Sequence, residues 1–148
     1  MADRARLYQL GQVVRLRKAQ TAAATNALRV TQGEHAAAQS AHDAEAIEYS
    51  AAGATWNRLL GQQKPDPSLV GLSAFWLLER QRLLKAEELN LSIADGRLLQ
   101  RREEHALALA REAASTKITA QNQKTMAKFR EERQSMQQTD AALWRWQR

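Results

Sequence analysis

The sequence contains no cysteine, and that one absence removes disulfides, thiolate metal sites and cysteine nucleophiles together. It points to a reducing compartment. Aromatic residues make up only 5% of the 148 positions, and Gly and Pro number 6 and 2, too few for the turn-rich, multilayered core of an ordinary globule. No window approaches the roughly 18 apolar residues of a membrane span. Residues 1–9, Met-Ala-Asp-Arg-Ala-Arg-Leu-Tyr-Gln, also lack the continuous apolar segment of a secretory signal. These observations lead us to expect a soluble, cytoplasmic protein with no direct membrane insertion.

What remains is helix-forming residues in quantity, with Ala, Gln, Glu, Arg and Leu dominant. Hydrophobic residues reach 44% and there are four Trp, which argues against a disordered chain. Both prolines fall in one segment, Gly61-Gln62-Gln63-Lys64-Pro65-Asp66-Pro67. Proline has no amide donor and its ring clashes with the preceding turn, so a helix cannot run through this segment. One break leaves two rods, and each carries apolar residues that it cannot bury alone. The expected fold is all-α: a long antiparallel two-helix coiled-coil hairpin with one proline-containing loop. The first helix should span about 3–61, the loop about 62–67 and the second helix about 68–143, followed by a frayed tail.

A period of seven from Leu7 picks out Val14, Thr21, Leu28, His35, His42, Tyr49 and Trp56. Leu10, Ala24, Ala38, Ala52 and Leu59 accompany them. The middle of this seam is small or polar, so it contributes little burial. Opposite, the apolar residues cluster after the loop, from Leu69 to Leu99. Beyond Arg101 they thin to Leu107, Ile118, Met126, Phe129 and Met136. If facing residue numbers add to roughly 132, Leu7 lies beside Thr125 and residues 126–148 project without a neighbour. Asp3 and the pair Asp66-Pro67 are expected to cap the two helix starts.

Charge is unevenly distributed. The net is +5 over residues 1–30, −3 over 31–60, zero over 61–100 and +4 over 101–148. Folding back brings the two basic blocks together, which suits an acidic or phosphate-bearing partner. A nucleic-acid footprint formed by Arg15, Arg17, Lys18, Lys117, Lys124, Lys128, Arg130 and Arg133 is countered by interleaved acids such as Glu112, Glu131 and Glu132, so no nucleic-acid partner is expected. His35 and His42 share a helix face but lie about 10 Å apart along it, too far for one ion, and no metal or cofactor is expected. A hairpin offers no enclosed pocket, and the sequence has no phosphate loop or nucleophile elbow, so no enzyme is expected.

One cluster resists a purely structural reading. Phe75, Trp76, Leu77 and Leu78 are consecutive, and at 100° per residue they cover every side of a helix that has one neighbour. Some must face water or a partner.

Around the break, the sequence resembles the FliJ/YscO family of type III secretion stalk proteins. The likeness rests on a small, basic, cysteine-free chain with one central break, on Ala46-Ile47-Glu48-Tyr49 ahead of the loop, and on Leu72-Ser73-Ala74-Phe75-Trp76-Leu77-Leu78-Glu79-Arg80 after it. The resemblance implies a coiled coil similar to the γ subunit of rotary ATP synthases, whose terminal end occupies the pore of a hexameric type III secretion ATPase. It implies ATPase contacts at Arg4, Arg6, Arg15, Arg17, Lys18, Lys124, Lys128, Arg130 and Arg133. Contacts with an export-gate membrane protein would fall at Tyr49, Phe75, Trp76 and Leu78. Secretion chaperones are further implied partners, the assembled site is the cytoplasmic face of the inner membrane, and the isolated chain is expected to be an elongated monomer. A secretion chaperone or helical adaptor, or a structural self-associating coiled coil, are the alternatives.

Overall fold

The computed structural model describes residues 2–146, with side chains from Ala5 to Trp146. Two helices account for nearly all of it: α1, Ala2–Leu60, of 59 residues, and α2, Pro67–Trp146, of 80 residues. They pack antiparallel as a hairpin, and the described residues contain no strand. Asp3 therefore lies inside α1, and its side chain falls outside the described residues. α2 runs to Trp146, three residues past the expected end at 143.

The turn is built by the residues that forbid helix. The Gly61 amide donates to the Asn57 carbonyl at 3.1 Å and the Gln62 amide to that of Leu59 at 3.4 Å, which closes α1. Asp66 then caps α2: its carboxylate accepts from the Ser68 amide at 2.9 Å, and its carbonyl accepts the first helical bond, from Val70, at 3.0 Å. Pro67 occupies the first helical position, where its missing donor costs nothing. Among the described residues none has a positive φ, so the turn needs no left-handed residue.

Burial follows a 3–4 alternation on both helices, interrupted on α2 between Leu98 and His105, where Arg101 is exposed. On α1 the covered positions are those read from the sequence, together with Arg17, Thr31 and Glu45. On α2 they run through Leu77, Leu84, Leu91 and Leu98 and continue through His105, Glu112, Thr119 and Met126. Leu107 and Ile118 lie off the seam phase, whereas Phe129 and Met136 keep it beyond the last covered position; each of the four is at least half exposed. Facing residue numbers add to 129 for Thr21 with Ala108, and to 130 for His35 with Asp95 and for Gly53 with Leu77. The register thus differs by two or three residues from the expected 132.

Contacts divide the chain into two units, residues 25–104 and residues 1–24 with 105–148. The first, the loop unit, holds the only two buried apolar side chains described, Ala52 and Leu98, and the buried Thr31. Thr31 satisfies its hydroxyl within its own helix by donating to the Ala27 carbonyl at 3.0 Å. In the second, the terminal unit, Thr21 is buried and donates to the Arg17 carbonyl at 3.1 Å and to the Ala108 carbonyl of α2 at 3.4 Å. Every described side chain from 127 to 146 is exposed.

Two neighbouring leucines separate the covered stripe from the open one. Leu98 is 7% exposed and Leu99 is 59% exposed. Leu98→Ala should lower unfolding stability by about 2–3 kcal/mol, whereas Leu99→Ala should stay within about 0.5 kcal/mol; urea denaturation reads both. At Gly53, an added Cβ would meet only the Leu77 Cδ1, at an ordinary 4.0 Å. Gly53→Ala should therefore raise stability by about 0.5–1 kcal/mol, and a lower urea midpoint would contradict that packing.

Candidate functional site

The loop unit carries the exposed aromatic cluster. Leu77 is the member turned into the seam, against Gly53. Its neighbours follow at 100° steps and must leave the seam: Phe75 and Leu78 are each 64% exposed and Trp76 is 50% exposed. Leu72 and Leu69 are exposed one and two turns earlier. A patch of large apolar side chains at this density, bordered by charge, has the character of a protein interface.

Tyr49 does not join this patch. It occupies a seam position on α1 and is half-buried, as is Trp56. The residue of that α1 segment that does face outward is Ile47, 69% exposed. Periodicity decides the difference: Tyr49 lies on the seven-residue series from Leu7 and Ile47 lies between its positions.

Arg80 organises the patch from the seam side. Its guanidinium carbon stands 4.6 Å from the centroid of the Trp76 ring, one turn earlier on the same helix. The same group reaches across to α1, where Nη1 donates to both carboxylate oxygens of Glu45 at 3.2 and 3.1 Å, and Nη2 lies 3.8 Å from Glu48. Glu45 and Arg80 are both largely covered, at 15% and 21% exposure, so their attraction is less screened than that of a surface pair. The Arg80 Nε is buried without a hydrogen-bond acceptor, a cost set against the gains at its other two nitrogens. One residue thus steadies an exposed ring and ties the two helices. The i, i+4 spacing of Trp76 and Arg80 was available in the sequence; the cross-helix link to Glu45 was not.

The histidines have partners of their own. His35 Nε2 is 2.7 Å from Asp95 Oδ1 across the hairpin, and His42 Nδ1 is 3.3 Å from the adjacent Asp43. Among the described residues no group of three His, Cys, Asp or Glu side chains is placed to hold a metal ion. No helix there is long and apolar enough to cross a membrane. On the α2 surface, hydrogen bonds from Arg101 and Gln100 hold the Glu104 carboxyl below its ordinary range.

The terminal unit holds the basic set. Arg6, Arg15 and Lys18 on α1 and Lys124, Lys128, Arg130 and Arg133 on α2 are exposed. Arg17 differs, being half-buried at a seam position with its Nη1 2.9 Å from Gln20 Oε1. The Arg4 side chain lies outside the described residues. Arg6, Met126, Phe129, Arg133 and Met136 border an open groove of about 530 Å³.

No family model, no curated protein and no solved structure matches this chain.

The Arg80 bridge yields a measurable expectation. Arg80→Met should cost about 1–2 kcal/mol, because Glu45 loses its partner while largely covered. In a double-mutant cycle, Arg80 and Glu45 should couple by about 1 kcal/mol, and the more open His35 and Asp95 by less. Equal coupling in the two pairs would remove the special role given to Arg80.

Proposed function

We propose that this chain is a central-stalk component of a type III secretion apparatus, working in the ring of a hexameric secretion ATPase and against an export-gate membrane protein. The observation that carries this reading is the exposure of Phe75, Trp76 and Leu78 just past the single turn of a hairpin whose seam already has Leu77. Those side chains are large, apolar and at least half exposed, which suits a gate contact. The exposed cations of the terminal unit, Arg6, Arg15, Lys18, Lys124, Lys128, Arg130 and Arg133, suit an acidic ring lining. Arg17 and Tyr49 are withdrawn into the seam and serve as supports for those surfaces.

Such a stalk works without an active site. A two-helix rod lacks six-fold symmetry, so it touches six ring subunits unequally and biases their nucleotide states through differential affinity. It favours ring assembly by the same means, since binding one assembled state shifts the equilibrium toward it.

Mixing the chain with its cognate ATPase should raise hydrolysis and oligomerisation; no change in either would remove the reading. The combined substitution Lys124→Glu, Lys128→Glu and Arg130→Glu should weaken the stimulation about tenfold. Phe75→Ser with Trp76→Ser should leave ATPase stimulation intact and abolish capture of the export-gate cytoplasmic domain.

A cargo-binding helical adaptor is the second reading. It is favoured by exposed Leu83, Leu89, Ile93 and Leu99, which the stalk contacts do not use. Co-purification of a secreted substrate, lost on substituting these leucines, would favour the adaptor.

A further inference from the structure

The seam of α2 does not stop where its covered positions stop. Carrying the 3–4 alternation on from Met126 gives Phe129, Arg133, Met136, Asp140 and Leu143. Phe129, Met136 and Leu143 are 60%, 69% and 57% exposed, and of the described α1 side chains Arg6 borders the groove that Phe129, Arg133 and Met136 line. Trp144, on the flank of this stripe, is 71% exposed. The result is a coiled-coil face about two heptads long with one strand present.

We propose that this face pairs with the same face of a second copy of the chain, in an antiparallel arrangement with a twofold axis near Met136. The choice of occupant and of direction comes from the charges at Arg133 and Asp140. In a parallel, in-register pair, Arg133 would meet Arg133 and Asp140 would meet Asp140, two like-charge contacts at the interface core. Reversing one strand brings Arg133 within about one turn of Asp140 of the second copy, and the twofold axis repeats that contact. The same reversal sets Phe129 near Leu143 of the other copy and keeps the methionines at the centre.

The flanks agree. Arg130 and Trp144 occupy equivalent flanking positions seven residues either side of Gln137, so each Arg130 meets Trp144 of the other copy, a favourable cation–ring contact. Glu131 lies on the far side of the helix, and Glu132, on the flank at the level of Thr139 and Asp140 of the other copy, is the one acidic neighbour of Asp140 that Arg133 has to offset. The pairing involves residues of one contact unit only and stands whether or not the stalk reading holds. It departs from the expectation of an elongated monomer for the isolated chain. Two heptads with three large apolar side chains per strand make a weak dimer, with Kd on the order of 10–100 µM.

Sedimentation equilibrium of the 148-residue chain over the micromolar to millimolar range tests this. The expected result is a reversible doubling of mass. Arg133→Asp alone and Asp140→Arg alone should each raise Kd about tenfold, since each sets like charges opposite one another. The double substitution Arg133→Asp with Asp140→Arg should restore the original value to within about threefold. Met136→Lys should abolish the dimer. Circular dichroism should show unchanged helicity in every variant, because Arg133, Met136 and Asp140 are exposed in the monomer. A monomer at every concentration would overturn the proposal. So would a dimer indifferent to the single charge reversals, which signals a parallel pair or contact through the Phe75 patch, and so would an open-ended polymer.

Discussion

A helix with one neighbour covers two positions in seven and leaves five to water. That geometric limit governs this molecule more than any single bond does. It explains why only Ala52 and Leu98 are buried apolar residues among those described, although nearly half the chain is hydrophobic. It also explains why apolar residues absent from the 3–4 series, from Leu72 to Ile118, end up outside regardless of their size. The surface is apolar because the architecture has nowhere else to put those side chains.

The seam itself is weakly apolar, and its polar members are handled locally. Thr21 and Thr31 return their hydroxyls to their own helices, so each can be buried without an orphaned donor. His35 takes Asp95, and Arg80 takes Glu45. Small residues let the helices approach, but each contributes little transfer free energy. Past Leu98 the seam of α2 holds His105, Ala108, Glu112, Ser115, Thr119 and Asn122 before Met126, so the terminal unit is held by less apolar contact than the loop unit. Local opening should follow that gradient.

Much of this was legible in advance. Two prolines in one segment fixed the turn, and the Asp66-Pro67 pair behaves as capping rules dictate because those rules depend only on neighbours in sequence. The seven-residue series from Leu7 was correct to its end at Trp56 for the same reason. What escaped was what depends on the other helix. Residue type suggested Leu107 and Ile118 as seam members, whereas phase placed His105, Ala108 and Glu112 in the seam and Ile47 outside it. Arg17, Thr31 and Glu45 were passed over because a polar residue at a covered position is recognisable only once its partner across the hairpin is known. Of the aromatic cluster, the exposure of Phe75, Trp76 and Leu78 followed from helix geometry, but Tyr49 was assigned to it by likeness and lies in the seam.

A repeat of seven makes neighbouring alignments nearly equivalent, and a strip of alanine, threonine and histidine does little to tell them apart. The bridge from Arg80 to Glu45 removes that ambiguity. Sliding α2 by one heptad in one direction would deliver Glu87 to Glu45, anion against anion; in the other it would deliver Ser73, too short to reach. The short turn would also have to absorb about 10 Å of displacement. A largely covered ion pair of modest net strength therefore acts as an index pin, holding a low-friction joint at one setting.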